Sequence, residues 1–346
     1  MENTTDVNLR LRHLPRRPPS MILAGDIGGT NSRLGLFTTG GDRPAPHHLR
    51  EFRTADYTTL TDVVAAFLAD APVDATGVRG ASFGVAGPVV GERAALTNIT
   101  FAIDAVDVRE RCGVPRVSLL NDLAAMAWSV GVLRPEELCE LQAGTALPNG
   151  NRALIAAGTG LGQSVLHNVD GRFLPVPSEA GHADWAARTE TDITVLRALT
   201  ATLGRVEVEQ VISGMGLRNL HRVLHEDSAC AADIDSDAPD AAAALTRSAL
   251  ERRCSSCVAA LNLFVDGYGA ETGNLALRCV ATGGVFVGGG IAPKILPALT
   301  DGRFMRAFKD KGPMRSLVEQ MPVHVILNGD AGLLGAAVHA DASLTR

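Results

Sequence analysis

One pattern occurs twice in the chain: an apolar run, a glycine-rich turn and a second apolar run. It occupies residues 22–37 and again residues 152–166, with the turn sequences GDIGGTN and AGTGLG. Two apolar runs around such a turn are typical of a β-hairpin. The repetition predicts two related halves that each contain a sheet built around a hairpin.

Strand and helix patterns alternate along the rest of the chain. A helical face at 60–70 is followed by strand patterns at 80–90 and 116–120, and helical composition returns at 122–133. One long helix is expected over about 240–270, and a helix of small residues is expected at the end. This alternation favours an α/β fold, and 346 residues suggest two domains.

The charge balance limits the partners of the chain. With 38 acids against 32 bases, the net charge of −6 argues against nucleic acid or an anionic membrane surface. The longest uncharged stretches fall short of the ~20 apolar residues that a membrane-spanning helix needs. Residues 1–20 carry four arginines but no apolar signal core, so a flexible arm is expected, with Met21 as an alternative start. The stretch 226–240 is interpreted as a solvated acidic loop.

The six cysteines show no small-domain disulfide framework, which favours the reducing cytoplasm. The Cys254-x-x-Cys257 pair fits a redox motif or half of a zinc site. Cys254, Cys257 and Leu261 are also spaced as on one face of a helix. The preferred interpretation is that these residues form a buried stripe on that helix. His221 and His225 lie four residues apart, and without a third ligand they are interpreted as core or surface histidines.

The first glycine turn runs from Gly25 to Asn31. Successive backbone N–H groups in such a turn can cradle an anion, and the Thr30 hydroxyl adds a donor. The Asp26 carboxylate can hold Mg²⁺ through water. The alternative is an ordinary glycine-rich hairpin turn.

The second glycine turn, Ala157 to Gly162, has the same composition of three glycines and a threonine. Together the two turns predict a two-loop phosphate clamp. Neither is a Walker A motif, because the first lysine of the chain is Lys294. A Gly-x-Gly-x-x-Gly sequence is also missing, which weakens a Rossmann dehydrogenase hypothesis.

Three further segments bring polar chemistry. Asp122 follows a strand and precedes a helix, where a carboxylate can accept a proton from a hydroxyl; Asn121-Asp122 is alternatively a helix cap. The run from Glu179 to Asp184 packs two acids and a histidine into six residues, which suits recognition of several hydroxyls. The Gly-x-Ser-x-Gly at 80–84 matches a nucleophile elbow, but the following VAGPVV is not helical, which disfavours a serine hydrolase.

These segments in this order resemble bacterial glucokinases of the hexokinase–actin–heat-shock-chaperone ATPase superfamily. The resemblance spans about residues 22–337, through GDIGGTN, FGVAGPV with LTN, LLNDL, AGTGLG, SEAGHADW, EQVISGMGL, GGVFVGGGIAP and AGLLGAA. It implies a two-domain actin-like ATPase (ribonuclease H-like) fold with an interdomain cleft. The small α/β domain would comprise 21–132 plus 328–346, and the large α/β domain 133–327.

The resemblance also implies roles for individual residues in an ATP- and Mg²⁺-dependent phosphorylation of glucose at its 6-hydroxyl. Asp122 would be the general base, and the chain would be a cytoplasmic homodimer of glycolysis. The sugar contacts would be Asn98, Asn121, Asp122, Glu179, His182 and Glu209. The nucleotide contacts would be Gly25, Asp26, Ile27, Gly28, Gly29, Thr30, Asn31, Gly158, Thr159, Gly160, Gly288, Gly289 and Gly290, with Asp26 near Mg²⁺.

The departures from the family pattern leave alternatives open. No cysteine lies near His182, so the zinc of the related repressor–kinase group is not expected. The family's Gly-Glu-Gly-Gly-His is replaced by Ser178-Glu179-Ala180-Gly181-His182, which leaves the loop path open but keeps the ligands. The alternatives are a kinase for another hexose or amino sugar, a non-catalytic sugar- or ATP-binding protein, an actin- or chaperone-like assembly ATPase, and a sugar-sensing regulator.

Overall fold

The computed structural model describes residues 20–71, 77–96, 99–225, 230, 232, 234–235, 238 and 240–344. The backbone contacts divide the described chain into two compact units. Unit 1 contains the residues up to Leu120 and those from Ala336 onward, and unit 2 contains Asn121–Gly335. The sequence placed the corresponding domain limits after residues 132 and 327.

Unit 1 contains a five-stranded sheet with the order β3-β2-β1-β4-β8 and a small three-stranded sheet, β5-β6-β7. Its elements are β1 (Met21–Ile27), β2 (Asn31–Thr38), β3 (Ala45–Arg53), α1 (Leu60–Asp70), β4 (Val78–Val85), β5 (Val89–Val90), β6 (Arg93–Ala95), β7 (Ala102–Asp104), α2 (Ala105–Cys112) and β8 (Val117–Asn121).

The core of unit 1 follows from the pattern of its strands and first helix. β1 is a nearly continuous apolar run because it lies in the middle of the sheet, pairing antiparallel with β2 and parallel with β4. α1 buries Leu60, Val63, Val64 and Phe67, the positions that the helical spacing predicted. Thr59 caps this helix by accepting a hydrogen bond from the backbone N–H of Asp62 at 3.1 Å.

Unit 2 contains a six-stranded sheet with the order β12-β11-β10-β13-β14-β9. Its elements are α3 (Asp122–Ser129), β9 (Leu138–Gln142), β10 (Arg152–Ala157), β11 (Leu161–Val169), β12 (Arg172–Ser178), α4 (Glu190–Leu203), α5 (Gly214–Leu224), α6 (Ala241–Leu250), α7 (Ser255–Cys279), β13 (Gly284–Gly288), α8 (Leu296–Thr300), α9 (Arg303–Lys309), α10 (Arg315–Glu319), β14 (Val323–Ile326) and the start of α11 (Ala331–Ser343).

The two sheets share one arrangement around the repeated hairpin. In each, the first hairpin strand has an antiparallel neighbour on one side and a parallel strand on the other: β2-β1-β4 in unit 1 and β11-β10-β13 in unit 2. The predicted α/β class and the two hairpins at 22–37 and 152–166 are therefore confirmed. The main core of unit 2 surrounds α7, where Phe264 and Tyr268 are fully buried.

Two local predictions were wrong. The helix expected over 240–270 is two helices, because α6 ends at Leu250 and Arg252 adopts a left-handed φ of 56° before α7 begins. The strand expected over 80–90 ends at Val85, and a separate two-residue strand follows.

Ser82, the centre of the Gly-x-Ser-x-Gly sequence, lies within β4 rather than on a turn. It is buried, and its hydroxyl is 2.9 Å from Nδ1 of His339. This placement agrees with rejection of the nucleophile elbow. Among the described helices, none has both the length and the apolar character that crossing a membrane would require.

Candidate active site

The first glycine turn closes the β1–β2 hairpin of unit 1. The backbone N–H of Gly28 donates to the carbonyl of Asn31 at 3.0 Å, and Gly29 and Thr30 are exposed at the tip. Thr54 fixes the turn from beside it: its hydroxyl donates to the Gly28 carbonyl at 2.7 Å. The tip of the turn is thus exposed, while its conformation is stabilised by Thr54. Asp26, two residues before Gly28, is half-buried.

The second glycine turn lies in unit 2 and is held by two other segments. The backbone N–H of Gly214, at the start of α5, donates to the Gly158 carbonyl at 2.9 Å. The N–H of Ile291, directly after the 288–290 glycine run, donates to the Ala157 carbonyl at 3.1 Å. Two of the three predicted nucleotide segments therefore converge within unit 2.

A cavity of about 650 Å³ opens where these unit 2 segments meet. This volume is in the range of pockets that hold small molecules. Its wall is formed by the second glycine turn, the first turns of α5, one face of α6 and the segment after the 288–290 run. The lining residues are Gly158, Thr159, Gly214, Met215, Leu217, Arg218, Asp240, Ala242, Ala243, Thr246, Arg247, Leu250, Ile291, Lys294 and Ile295.

The two glycine turns and the 288–290 run each contain one glycine whose missing side chain is not required by neighbouring atoms of the chain. A Cβ on Gly25 would lie 2.5 Å from Phe83, and one on Gly288 would lie 2.8 Å from Sδ of Met126, so these positions are closely packed. At Gly29, Gly158 and Gly290, by contrast, a Cβ would meet nothing within 4 Å, and φ is not left-handed. Open space beside backbone is what a bound ligand would need.

Asn121 and Asp122 begin α3. The side-chain oxygen of Asn121 accepts the Leu123 N–H at 3.0 Å, which is an N-cap. Oδ1 of Asp122 accepts the same N–H at 2.8 Å. The Asp122 side chain has an exposed surface but is surrounded by enough protein for desolvation to raise its pKa. The negative charge of Glu179 raises this pKa further.

The segment that carries Glu179 and His182 is attached to the chain around residue 207. Nδ1 of His182 is 2.7 Å from Glu207, whose carboxylate also pairs with Arg205 at 2.5 Å. The hydrogen bond to Glu207 is the largest cause of a raised pKa at His182, with the charges of Glu209 and Glu179 adding to it. The same hydrogen bond lowers the pKa of Glu207.

Glu209 lies against the second glycine turn. Its carboxylate accepts the backbone N–H of Leu161 at 2.8 Å and occupies the space that a Cβ on Gly160 would need. A Cβ on Gly181 would collide with the Leu161 carbonyl. These close approaches join the Glu179–His182 segment, Glu209 and the second turn in one part of unit 2.

The structure thus brings together within unit 2 most of the residues that the sequence predicted. This set is Asn121, Asp122, Glu179, His182, Glu209, Gly158, Thr159, Gly160, Gly288, Gly289 and Gly290. Gly25, Asp26, Ile27, Gly28, Gly29, Thr30 and Asn31 lie together in unit 1. Asn98 lies outside the described residues.

Several candidate residues were missed by the sequence analysis. Glu207 was not singled out because its partner His182 is 25 residues away in the chain. Arg218, Arg247 and Lys294 line the cavity from three different elements. From the segment EQVISGMGL only Glu209 was given a role, although the same segment also contains the start of α5.

Comparison with known proteins shows the family of the chain. The family model described as Glucokinase matches residues 23–343. The glucokinase of Nostoc punctiforme is 37% identical over 342 residues, which covers 93% of this chain and 99% of that protein. The glucokinase of Cronobacter sakazakii is 35% identical over 319 residues, covering 92% and 96%.

Solved structures of glucokinases also match the fold of the chain. The crystal structure of a glucokinase from an Antarctic psychrotroph matches with a TM-score of 0.82 at 30% identity, covering 93% of this chain and 99% of that one. A ROK family glucokinase from Streptomyces griseus, in complex with glucose and AMPPNP, matches with a TM-score of 0.60 at 22% identity, covering 93% and 100%. At that identity the second match shows the fold alone, and the expected actin-like ATPase fold class is confirmed.

Proposed function

The chain belongs to the glucokinase family, and on that premise we propose that it transfers the γ-phosphoryl group of ATP to the 6-hydroxyl of D-glucose. The observation that carries the proposal is the position of Asp122. Its carboxylate lies at the start of α3, near enough to Glu179 for that charge to raise its pKa, and in the same unit as the second glycine turn.

Asp122 is the general base in this proposal. As the sugar 6-oxygen attacks the γ-phosphorus, the carboxylate takes the hydroxyl proton, and the bond to the β-phosphate oxygen breaks to release ADP. A pKa raised above the ordinary aspartate value makes the carboxylate a stronger base. Positioning and charge stabilisation then supply most of the catalysis, as is usual for phosphoryl transfer.

The sugar is held by a set of hydrogen-bonding side chains: Asn98, Asn121, Glu179, His182 and Glu209. Glu207 fixes the His182 ring through Nδ1, so that Nε2 is left to face a ligand hydroxyl. The hydrogen bond to Glu207, with the charges of Glu209 and Glu179 adding to it, raises the pKa of His182 and so favours the protonated ring, in which Nε2 is a donor. A sugar lacking the matching hydroxyl would leave such polar groups unpaired, which is the strongest source of selectivity.

In unit 2 the nucleotide is bound by the second glycine turn and the cavity, and backbone N–H groups of the turn at Gly158 are donors for phosphate oxygens. In unit 1 the exposed turn at Gly29 offers further N–H donors for phosphate. The cavity of about 650 Å³ receives the nucleoside, with Arg218 and Lys294 on its wall. The related Streptomyces griseus kinase, which binds glucose and AMPPNP, supports a nucleoside triphosphate as the donor.

Mg²⁺ fits the residues at the first turn. Mg²⁺ is usually held by one or two carboxylates together with substrate phosphates and waters. Asp26 offers one half-buried carboxylate beside a turn that is open to a phosphate. The ion would supply neutralisation of the phosphate charge that develops during transfer.

Replacement of Asp122 tests the proposal. We expect Asp122→Ala to lower kcat by at least about 10²-fold, the contribution typical of a positioned base, while the Kd for glucose changes little. A coupled ADP assay and calorimetric titration with glucose measure the two quantities. Asp42→Ala, an exposed acid in a loop of unit 1, is the matched control. Near-normal turnover by Asp122→Ala would show that the base is another group.

Two further parts of the proposal concern the state of the protein. All six cysteines are thiols, which suits the reducing cytoplasm in which glucose enters glycolysis. A homodimer is proposed from the family resemblance alone, and analytical ultracentrifugation of the purified chain tests it.

A further inference from the structure

Five side chains that bind soft metals meet at one place in unit 2, apart from the candidate active site. His221 and His225 lie at the C-terminal end of α5, and Cys230 lies in the segment that follows. Cys254 immediately precedes α7, and Cys257 lies in its first turn. The sequence predicted a buried helix stripe at the two cysteines and, separately, core or surface positions for the two histidines.

The donor atoms are as close as ligands of a single ion. One ligand atom from each of His221, His225, Cys230 and Cys257 lies within 4.8 Å of the others. The Cys230 sulfur is 3.8 Å from that of Cys257 and 4.0 Å from that of Cys254. Nε2 of His225 is 3.2 Å from the Cys254 sulfur.

The shorter of these separations are close to the edges of a zinc tetrahedron. With Zn–S and Zn–N bonds of about 2.3 and 2.0–2.1 Å, two sulfurs lie roughly 3.8 Å apart and a sulfur and a nitrogen roughly 3.5 Å apart. A disulfide would instead bring two sulfurs to about 2.05 Å. The cysteines are thiols whose sulfurs lie at van der Waals distance or beyond.

The orientation of His225 supports the same interpretation. Its Nδ1 is 2.9 Å from the backbone carbonyl of His221, so this nitrogen carries the proton and donates it. Nε2 is therefore the nitrogen with a lone pair, and it is the one that faces the cysteines. In a metal-binding histidine, the ring nitrogen that does not bind the metal usually donates a hydrogen bond to a carboxylate, a backbone carbonyl or water.

We propose that this cluster is a structural zinc site. His225, Cys230 and Cys257 supply three ligands, and His221 or Cys254 supplies the fourth. The four thiolate and imidazole donors favour zinc over the oxygen-binding Mg²⁺ and Ca²⁺, and four protein ligands are typical of a structural rather than a catalytic zinc. The ion would join the end of α5, the segment containing Cys230 and the start of α7.

The first test is the metal content of the full chain. The protein is purified under reducing conditions, without a histidine tag, and its metals are measured by mass spectrometry. We expect about one zinc per chain, which is lost on prolonged dialysis against a strong chelator and regained with Zn²⁺. Reconstitution with Co²⁺ is expected to give the thiolate-to-cobalt charge-transfer absorption and the intense d–d bands of a tetrahedral site.

Variants identify the ligands. Cys230→Ser, Cys257→Ser and His225→Gln are each expected to weaken zinc binding at least about tenfold, a loss that even outer-shell substitutions can cause. Cys112→Ser and Cys139→Ser, at cysteines outside the cluster, are the matched controls and should retain the metal. Loss of zinc in His221→Gln or in Cys254→Ser names the fourth ligand, and retention in both would contradict a four-ligand site.

A test on the unmodified chain does not depend on whether the variants fold. Thermal unfolding of the zinc-loaded protein is compared with that of the chelator-treated protein, and we expect a higher Tm with zinc. A wild-type chain that binds zinc no more tightly than Cys230→Ser would overturn the proposal. Peptide mapping that finds a disulfide among Cys230, Cys254 and Cys257 under reducing conditions would also overturn it.

Discussion

Asn121 and Asp122 are adjacent at the start of α3 but differ in what surrounds them. Asn121 is the N-cap of the helix, a role that needs only a short side chain with an acceptor oxygen. Asp122 adds a partly desolvated carboxylate whose pKa is also raised by the charge of Glu179, and a cap requires neither feature. The two interpretations of this dipeptide are therefore compatible, because the cap and the proposed base are different residues.

The raised pKa of Asp122 predicts a pH dependence. The base must be ionised, so kcat should fall as the pH falls through this pKa, at a higher pH than for an ordinary aspartate. Glu179→Gln removes one negative charge that raises the pKa, so the acidic limb of the kcat profile should move to lower pH. Glu190→Gln, at the start of α4, is the control and should leave the limb in place. An unchanged limb in Glu179→Gln would remove Glu179 as a cause.

The open glycines allow ligand binding to be separated from folding. Because a Cβ at Gly29 or Gly158 meets nothing within 4 Å, Gly29→Ala and Gly158→Ala should change the free energy of unfolding by no more than ~0.5–1 kcal/mol. If phosphate lies against these turns, the added methyl group should raise the KM for ATP several-fold. Steady-state kinetics and chemical denaturation measure the two effects.

Two glycines serve as controls for this pair. Gly131→Ala also meets open space but lies outside the glycine clusters, so both quantities should stay near wild type. Gly25→Ala should destabilise the protein by ~1–3 kcal/mol because its Cβ would lie 2.5 Å from Phe83. An unchanged KM for ATP in both test variants would argue against phosphate binding at the turns.

At the scale of elements, the break between α6 and α7 shows what periodicity could not predict. Leu250, Cys254 and Cys257 keep a helical spacing across the break, so the sequence indicated one continuous face. The backbone nevertheless leaves the helix at Arg252, with a φ of 56°. No glycine or proline marks the position, and the cysteines beyond it are turned toward α5 and Cys230.

The left-handed conformation of Arg252 gives an element-scale prediction. In this conformation a non-glycine residue lowers the free energy of unfolding by about 1–2 kcal/mol. Glycine removes this strain, although it also makes the unfolded chain more flexible, which is a smaller loss. Arg252→Gly is therefore expected to raise the Tm slightly, by scanning calorimetry. Arg197→Gly, exposed in the middle of α4, should instead lower the free energy of unfolding by about 1 kcal/mol. A lower Tm in Arg252→Gly would mean that the arginine side chain stabilises the break.

At the scale of the molecule, the sequence predicted the features that depend on local order. The repeated hairpin predicted two sheets with the same central arrangement, and the helical face at 60–70 predicted α1 with its buried residues. The pairs that act across long separations were not predictable in this way. Glu207 meets His182 over 25 residues, and the cavity takes its wall from four separate segments.

At the scale of the whole molecule, the proposed reaction predicts that a sugar without the 6-hydroxyl binds and stabilises the protein but is not phosphorylated. 6-Deoxyglucose keeps the hydroxyls that the proposed contacts recognise but lacks the one that accepts phosphate. At about 100 times its Kd, any ligand that binds only the folded chain raises the free energy of unfolding by ~2.7 kcal/mol. We therefore expect 6-deoxyglucose, like glucose, to raise the Tm, while only glucose produces ADP in the coupled assay. ATP turnover with 6-deoxyglucose equal to that with glucose would exclude the 6-hydroxyl as the acceptor. ATP turnover without any sugar would favour an ATPase of the actin or chaperone type.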